Sequence, residues 1–383
     1  MKKLVSRETL GIAKRILRNG NVCDNCLGRQ FAQMYTGMTN NERGRIVRKA
    51  LGKAETKKKC VVCKGFFQNI DKYADEAMKA LKGIEFESFV VGTVMDSDLI
   101  DREESLWEDI GIEYCETLKA ESNRELGKIL ERRMKKKVDE KAPEVNVILN
   151  LEKNKIELQI NPLFVFGKYK KLIRGIPQTK WEKYKETVED IIAKPFMRDS
   201  KGSGHAMHAA GREDIDARCL DWRPFIFEVL SSKKRKLNLE RIKMEINKGR
   251  KVGVEDLMFS SKKEVIWVKS LQPDKTYRVI VSFEKPINEK GMEKVKKILG
   301  EVKQKTPKRV MHRRADKIRV KKVKGISWKR INNKKLEIEI KGEAGLYIKE
   351  LITGDDGRTR PSLTGILKNP AKVETLDVVK IHL

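Results

Sequence analysis

The chain has 383 residues and a large excess of positive charge. It contains 85 Lys and Arg residues against 55 Asp and Glu residues, a formal net charge of +30 at pH 7. This length suffices for two or three domains, and the charge favours a polyanionic partner because basic residues that meet phosphates release condensed counterions. The first residues lack the apolar run of a signal peptide, and no window is long enough for a transmembrane helix. We therefore expect a cytoplasmic protein that does not enter a membrane.

Four of the six cysteines form two Cys-x-x-Cys pairs, Cys23 with Cys26 and Cys60 with Cys63. Without a secretion signal, paired cysteines are more often metal ligands than disulfides. Two such pairs can surround one zinc ion with four thiolates and leave no position for a substrate, so the predicted zinc is structural. A redox function would need one pair beside a βαβ pattern and would leave the other pair without a role. Amphipathic segments around the pairs predict helices, so residues 1–68 are predicted to be a small helical module stabilised by zinc.

Residues 69–182 change to a mixed pattern that predicts a second domain. Segment 87–94 predicts a strand, and segment 123–138 predicts a charged helix. Segments 145–151 and 155–160 alternate between apolar and polar residues, so we expect them to pair as a hairpin. Together these elements predict a small α/β domain.

A basic run with aromatic residues, 161–179, follows the hairpin. Its cations include Lys168, Lys170, Lys171 and Arg174. Positive charges beside aromatic faces suit RNA, which needs both phosphate contacts and base stacking, although a surface hairpin could have the same composition. The run resembles the end of a THUMP-type RNA-binding domain. Such domains also occur in RNA methyltransferases and thiouridine synthetases, so this resemblance implies an RNA partner and leaves the reaction open.

Residues 183–383 are predicted to form a third, reactive domain. Strand-like patterns occur in segments 276–283, 334–340 and 373–381, whereas segment 287–302 has helical spacing. Helices and strands interleave without the regular repeat of a doubly wound sheet. The expected fold class is therefore α+β, with a mixed, largely antiparallel sheet and helices packed against it.

Three carboxylates lie between arginines in the segment Gly211-Arg212-Glu213-Asp214-Ile215-Asp216-Ala217-Arg218. Glycine permits a close backbone approach or a turn that a side chain would forbid. A carboxylate beside an arginine stays ionised, and a positioned carboxylate can act as nucleophile or general base. A two-metal nuclease built from Glu213, Asp214 and Asp216 is an alternative, but neighbouring residues diverge on a strand and the arginines would compete with metal ions.

This segment, with Arg223-Pro224-Phe225 after it, resembles the catalytic loop of pseudouridine synthases. The string from Ala209 to Arg218 is similar to that of the archaeal and eukaryotic family that modifies uridines 54 and 55 in the tRNA T loop. The resemblance implies a tRNA isomerase with a zinc module at 1–68, a THUMP-like domain at 69–182 and a pseudouridine synthase domain at 183–383. Its expected partner is tRNA, through the T loop and arm, and no obligate protein partner is evident.

The resemblance also implies roles for residues that are far apart in the chain. Asp214 matches the catalytic aspartate, and Arg212 matches a residue that fills the stack left when the uridine flips out. Tyr277 matches a tyrosine that stacks on the flipped base and helps to remove the proton at carbon 5. Lys349 matches the basic partner of the catalytic carboxylate, and Tyr347 in the same segment is expected to contact the substrate.

Other positions carry weaker expectations. Arg313 and Arg314 lie in a segment that resembles a further family segment, and their expected role is to bind RNA or to brace the site. The family usually has a small hydroxyl residue where Leu346 stands. Asp216 is expected to be ion-paired rather than a second catalytic acid. The run 233–236 either tracks phosphates or forms a solvated basic face.

The implied reaction detaches uracil from ribose, turns it and rejoins it through carbon, without net redox change or hydrolysis. No organic cofactor is therefore expected. An ionised aspartate can start this reaction as a nucleophile or as a base, and the sequence leaves both open. The competing classes are a non-catalytic RNA-binding protein and another THUMP enzyme, but the chain has no glycine-rich cofactor loop after a strand and no nucleotide-activating loop.

Overall fold

The computed structural model describes residues 2–34 and 36–383, which form two compact units, Met1–Asn161 and Pro162–Leu383. The helices of the first unit are α1 (Arg7–Ile16), α2 (Asp24–Gly28), α3 (Asn40–Ala50), α4 (Ile70–Ala80), α5 (Ser97–Ile110) and α6 (Leu118–Met134). Its strands are β1 (Ser88–Val94), β2 (Lys137–Val138), β3 (Val145–Asn150) and β4 (Lys155–Ile160). Among the described residues of both units, no helix combines the length and the apolar character that a membrane crossing requires.

The strands of the first unit form a four-stranded sheet in the order β2-β1-β3-β4. β1 pairs in parallel with β2 and β3, and β3 pairs antiparallel with β4. The strand expected from segment 87–94 and the hairpin expected from segments 145–151 and 155–160 are therefore confirmed. Alternation of apolar and polar residues predicted these strands because one face of the sheet is buried.

Helix α6 corresponds to the charged helix expected from segment 123–138, but it begins five residues earlier, at Leu118. Its start is set by Thr117, whose side chain accepts a hydrogen bond from the Ala120 N–H. It ends before Lys135, which adopts a left-handed conformation with φ of 55°. The charge pattern located the helix and missed its N-terminal cap.

One buried core joins the four paired cysteines and the helices around them to the sheet in the first unit. It extends from Leu4 through the four paired cysteines to Phe89 and Leu149. The module expected at residues 1–68 therefore shares its core with the strands that follow it.

The second unit contains six α-helices among its described residues. These are α7 (Val188–Ser200), α8 (Leu239–Lys248), α9 (Lys262–Ser270), α10 (Glu289–Lys294), α11 (Ile348–Thr353) and α12 (Leu363–Leu367). Its strands are β5 (Leu163–Lys171), β6 (Gly204–Ala209), β7 (Arg218–Leu230), β8 (Val252–Ser260), β9 (Asp274–Phe283), β10 (Gly300–Lys305), β11 (Ile318–Asn332), β12 (Lys335–Gly342), β13 (Thr359–Arg360) and β14 (Ala371–His382).

These strands form one ten-stranded sheet in the order β13-β10-β11-β12-β9-β14-β7-β5-β8, with β6 paired to β7. Of the strand pairs that the structure describes in this sheet, β7 with β14 is parallel and the others are antiparallel. The strands expected from segments 276–283, 334–340 and 373–381 are confirmed as β9, β12 and β14. The α+β class with a mixed, largely antiparallel sheet is confirmed.

The basic run 161–179 requires a correction to the expected domain boundary at 182/183. Its first part is β5, which pairs with β7 and β8 inside the second unit. Val165 and Tyr169 of β5 are fully buried, and the Tyr169 ring lies 5.9 Å from that of Phe225. Because these side chains fill the core of the larger sheet, the units divide between Asn161 and Pro162.

Segment 287–302 was expected to be one helix and is only partly helical. It contains the short α10, a 3-10 helix Val295–Ile298, and then β10 from Gly300. Gly300 has φ of 103°, a conformation that other residues rarely adopt. The helical spacing therefore stops at this glycine, where the chain turns into the sheet.

Candidate active site

The segment 211–217, named the catalytic loop for its resemblance to that of pseudouridine synthases, lies between β6 and β7. In the sheet register, Cys219 of β7 lies opposite Val378 of β14, and Val378 lies opposite Tyr277 of β9. Neighbouring strands are about 4.8 Å apart, so Tyr277 lies two strands away from the end of the loop. Strand pairing thus brings together two motifs that are distant in the sequence.

A buried network of polar side chains supports the catalytic loop. Arg223 Nη2 lies 3.3 Å from Glu213 Oε2, and Tyr169 Oη donates a 3.0 Å hydrogen bond to the same oxygen. Gln178 Nε2 donates to the Gly211 carbonyl at 3.0 Å. Gly211 has φ of 81°, and a Cβ there would lie 3.2 Å from Arg223 Nη1, so glycine is favoured at this turn. Burial raises the pKa of Tyr169 well above its ordinary value, so its hydroxyl remains a donor.

Lys171 of β5 is fully buried, and its ammonium group binds the main chain of the catalytic loop. Nζ donates to the carbonyl oxygens of Asp214 and Ile215 at 3.0 Å each and of Ile176 at 2.8 Å. Burial lowers the pKa of Lys171, and the nearby Glu213 carboxylate opposes this shift. The expected RNA contact of Lys171 is wrong for this structure, because loop carbonyls surround the ammonium group. These hydrogen bonds hold the main chain at Asp214.

The Asp214 carboxylate lies between two cations, with 33% of its side chain exposed. Its Oδ1 is 3.1 Å from Arg309 Nη1, and its Oδ2 is 3.4 Å from Lys349 Nζ. Lys349 Nζ lies closer to Asp216, at 2.7 Å from each carboxylate oxygen. Burial opposes the change, but the hydrogen bond from Lys349 lowers the pKa of Asp216. The structure thus makes Asp216 an ion-paired carboxylate and Lys349 a bridge between the two acids.

Arg309 is a candidate site residue that the sequence patterns did not indicate. Its Nη1 contacts Asp214, and its Nε donates a 2.7 Å hydrogen bond to Glu350 Oε1. Burial works against the charge, but Glu350 and Asp214 raise the pKa of Arg309, so the guanidinium stays charged. The only signal in the sequence was its position four residues before Arg313, close to the segment that resembles a further family segment. No spacing rule connects it to a carboxylate so far away in the chain.

A cavity of about 280 Å³ lies beside Asp214. Its apolar lining consists of Val310, Leu346, Ile348, Leu376 and Val378, with the ring of Tyr277. Burial raises the pKa of Tyr277 to about 12, so its phenol is neutral at neutral pH. Leu346 adds apolar surface where the family usually has a small hydroxyl residue. The cavity therefore places the Asp214 carboxylate beside apolar side chains and an aromatic ring, a combination that suits a nucleobase.

The other expected substrate-binding residues lie around the same cavity. Arg212 is exposed and lines it, and so does Tyr347. Tyr347 Oη accepts a 2.8 Å hydrogen bond from Arg314 Nη1, and its main-chain N–H donates to Gln304 Oε1 at 2.9 Å. The side chain of Arg313 lies outside the described part of the chain, so its expected RNA contact stays a prediction.

The remaining expected RNA contacts are engaged inside the second unit. Lys168 Nζ lies 2.8 Å from a carboxylate oxygen of β8, and Lys170 Nζ lies 4.2 Å from the centre of the Trp222 ring. Arg174 pairs with Asp377 at 2.6 Å and donates to a main-chain carbonyl of β14. Lys168, Lys170 and Arg174 are still partly accessible, so their contact with RNA stays a prediction.

The carboxylates of the loop are not arranged as a two-metal centre. Glu213 is buried beside Arg223, while Asp214 and Asp216 contact cations. Within residues 2–34 and 36–383, the only cluster of three or more His, Cys, Asp or Glu side chains arranged to hold a metal ion is the four paired cysteines. The geometry therefore favours acid–base or nucleophilic chemistry at Asp214.

The four paired cysteines fit a zinc ion. They are buried, and their sulfur atoms all lie within 4.8 Å of one another. The Sγ atoms of Cys23 and Cys63 are 3.8 Å apart, which matches the edge of a tetrahedron with zinc–sulfur bonds of about 2.3 Å. The Cys23 N–H donates to Cys60 Sγ at 3.3 Å, and Arg29 Nη1 donates to Cys26 Sγ at 3.1 Å. Such donors stabilise bound thiolates and orient them.

Lys275 of β9 is a buried cation in the wall of the cavity. Its Nζ donates to the Pro273 carbonyl at 3.1 Å. Burial and then the charge of Arg223 lower the pKa of Lys275 to about 8. A buried charge that costs stability lines the same cavity as Asp214, which favours a role at this cavity over a role in folding.

Replacement of Lys275 by Met should therefore stabilise the protein near neutral pH. The folded-state pKa is about 8 and the unfolded value is about 10.4, so the charge destabilises the fold by on the order of 3 kcal/mol below pH 8. As pH rises from 8 to 10, the unfolded state binds more protons and this cost disappears. In urea unfolding, the free energy of unfolding of the wild type should be lower than that of Lys275→Met at pH 7, and this difference should shrink towards pH 10. A stability difference that does not change with pH would contradict the lowered pKa of Lys275. The matched control is Lys335→Met, which removes a lysine from an ion pair at the surface.

Two protein-family models match parts of the chain. The family model described as Pus10, C-terminal, matches residues 164–382. The model described as Pus10 THUMP domain, archaeal, matches residues 73–150. These two matches fall within the two compact units, and the first begins at β5, in agreement with the corrected boundary.

Full-length relatives give the same result. The chain is 41% identical over 377 residues to "tRNA pseudouridine synthase Pus10" of Pyrococcus furiosus. The match covers 96% of this chain and 97% of that protein. It is 37% identical over 430 residues to the protein of the same name from Methanothrix thermoacetophila. That match covers 98% of this chain and 95% of the relative. A solved structure described as "Crystal Structure of a Cbf5-Nop10-Gar1 Complex" matches 56% of this chain and 48% of its own at 17% identity and a TM-score of 0.35. The chain belongs to the Pus10 family of tRNA pseudouridine synthases, which are isomerases.

Proposed function

We propose that the protein converts uridine to pseudouridine in the T loop of tRNA, at position 54, position 55 or both, with Asp214 as the catalytic carboxylate. The observation that carries the proposal is the position of Asp214. It lies in the wall of a cavity of about 280 Å³, between two cations and close to Tyr277. The similarity of the string from Ala209 to Arg218 to the T-loop-modifying family supports the choice of substrate position.

In the proposed reaction, the bond from C1′ to N1 breaks and a bond from C1′ to C5 forms. The proton at C5 leaves and N1 ends with a proton, so atoms and charge balance without an oxidant or a reductant. Asp214 starts the reaction, either by attacking as a nucleophile or by removing a proton. Arg309 and Lys349 fix its orientation, because each contacts one carboxylate oxygen.

Tyr277 and Arg212 hold the substrate in this proposal. The Tyr277 ring supplies a flat face for the flipped uracil. Its pKa of about 12 keeps the phenol protonated, so it would take the C5 proton only while passing on its own. Arg212 is exposed at the same cavity and would fill the space that the flipped base leaves in the stack.

A tritium-release assay tests this function directly. A tRNA transcript labelled with tritium at C5 of uridine should release tritium to water, because the C5 proton is lost on rearrangement. Transcripts with cytidine at position 54, position 55 or both would identify the target. The proposal requires release to disappear when both are replaced. Undiminished release from the doubly replaced transcript would move the reaction to another uridine.

We further propose that the first unit grips tRNA and carries structural zinc. The THUMP match at residues 73–150 supports RNA binding. The four paired cysteines would hold the metal and tie α2 to the segment around Cys60 and Cys63. In a closed four-thiolate site, zinc supplies cross-linking of the fold rather than chemistry at the substrate.

The purified protein should contain about one zinc ion per chain. Combined replacement of Cys60 and Cys63 by Ser should remove it and destabilise residues 1–161, because these side chains belong to the core of that unit. Hydrogen exchange should then increase throughout that unit and stay low in 162–383. Elemental analysis measures the metal, and Cys115→Ser, outside the cluster, is the control. Absence of zinc, or iron in its place, would contradict the assignment.

A further inference from the structure

A second cavity, of about 380 Å³, adjoins the one that contains Tyr277. Both are lined by Arg212, Asp214, Arg309 and Lys349, so these residues form a common wall. Tyr277 lines only the first cavity, and Trp181 lines only the second. A single reacting base fills the first cavity in the proposed function, which leaves the second without a role.

The second cavity has the chemistry of a nucleotide-binding site. Trp181 is 39% exposed, and its ring lies 5.6 Å from that of Tyr184, which supports one side of the indole. Gln178, also in the lining, is buried and held by hydrogen bonds from Nε2 to Tyr169 Oη at 2.6 Å and to the Gly211 carbonyl at 3.0 Å. The exposed Lys180 adds a cation. A flat aromatic face with an amide and a cation is the combination that binds unstacked bases of single-stranded RNA.

The common wall fits a ligand that continues from one cavity into the other. Arg212, Arg309 and Lys349 lie where the two cavities meet, but Arg309 and Lys349 are paired with the carboxylates of Asp214, Asp216 and Glu350. Among the described residues Arg212 has no ion pair, so its guanidinium can bind an anion. Two consecutive nucleotides are joined by one phosphate, and such a phosphate would lie at this wall when each base occupies one cavity.

We propose that the second cavity binds the nucleotide next to the reacting uridine, with Trp181 as its stacking surface. This inference rests on the proposed function, since it needs a uridine in the first cavity. The enzyme would then read two adjacent nucleotides of the T loop rather than one. Selectivity for the target would depend partly on the base that stacks on Trp181.

The first test combines protein and RNA changes. Wild type, Trp181→Ala and Trp181→Phe are compared on a tRNA transcript and on transcripts with an abasic nucleotide on either side of the reacting uridine. Trp181→Ala should reduce kcat/KM on the intact transcript by about 5- to 30-fold, mainly through KM, as expected for loss of one stacked base. On the abasic transcript that lacks the base stacked on Trp181, the Trp181→Ala penalty should fall below about twofold, because the interaction is already missing. Trp181→Phe should keep most of the activity, because phenylalanine still offers a ring.

The matched control is Trp267→Ala. Trp267 is 50% exposed in the same unit and lines neither cavity, so its replacement should leave kcat/KM unchanged on every transcript. An equal Trp181→Ala penalty on the intact and on both abasic transcripts would overturn the inference while leaving the proposed function standing. Failure of the wild type to modify the intact transcript would count against the proposed function itself.

A second measurement does not depend on turnover. The Asp214→Asn protein is mixed with transcripts that carry 2-aminopurine on either side of the target uridine. Stacking on Trp181 should quench the fluorescence at one of the two positions, and adding Trp181→Ala to this protein should abolish the quenching. Quenching that is the same with and without Trp181 at both positions would show that the base does not stack there.

Discussion

Asp214→Asn should abolish pseudouridine formation while leaving the fold and tRNA affinity almost unchanged. Asparagine has the same size as aspartate but carries no negative charge, so it is neither a nucleophile nor a base. Loss of one essential member of a catalytic constellation costs on the order of 10⁴-fold in rate. One third of the Asp214 side chain is exposed, so water can solvate Arg309 and Lys349 after the change. The effect on stability should therefore be within about 1 kcal/mol.

Tritium release measures the rate, while filter binding of tRNA and thermal unfolding measure affinity and stability. Asp216→Asn is the matched control, because it removes a carboxylate that contacts the same Lys349. That variant should keep most of its activity, with a moderate loss from the altered position of Lys349. Appreciable turnover by Asp214→Asn, or equal losses for the two variants, would mean that the catalytic carboxylate has been assigned wrongly.

The sequence predicted the elements whose signals are local. Alternation predicted β3, β4 and β12, and strand-like patterns predicted β9 and β14; in β3 and β12 the alternation coincides with one buried face. The spacing of the cysteines predicted a cluster that could hold a metal, because two short pairs can converge on one ion. The family resemblance gathered Asp214, Tyr277 and Lys349, and the structure places them around one cavity. That arrangement depends on strand pairing, which periodicity alone does not give.

The features that the sequence did not predict depend on contacts between distant segments. Arg309 reaches Asp214 across 95 residues of sequence, and no local pattern marks that pair. The cap at Thr117 and the turn at Gly300 shifted the bounds of two helices. The boundary at 182/183 was misplaced because alternating apolar and basic residues also describe a surface hairpin, whereas β5 is an inner strand of the larger sheet.

The net charge of the chain does not identify the cations that can contact RNA, because contacts between distant segments also decide which cations are already paired. The net charge of +30 suggests a polyanionic partner, yet it does not say which cations are available. Arg174 and Arg223 pair with carboxylates, and Lys171 binds main-chain carbonyls. A lysine in a basic run is therefore assigned by what surrounds its ammonium group, which only the fold determines.

Lys171→Met should have the second largest effect, on both stability and activity. Methionine can follow the path of the buried stem but donates no hydrogen bond, so the carbonyls of Ile176, Asp214 and Ile215 lose their shared donor. A buried acceptor without a partner costs about 1–3 kcal/mol, and part of this is offset because a buried charge is also removed. We expect the free energy of unfolding of residues 162–383 to fall by about 2–4 kcal/mol.

Activity should fall further than stability alone explains. The Asp214 main chain would no longer be fixed, and a displacement of about 1 Å in a catalytic group can cost on the order of 10²-fold. At a temperature where the variant stays folded, kcat should drop about 10²-fold with little change in tRNA affinity. Lys170→Met is the matched control, since Lys170 lies over the Trp222 ring on the same strand and should cost at most about 1 kcal/mol. A Lys171→Met protein with normal unfolding and normal kcat, but a salt dependence of tRNA binding reduced by about one phosphate contact, would restore the RNA-binding interpretation.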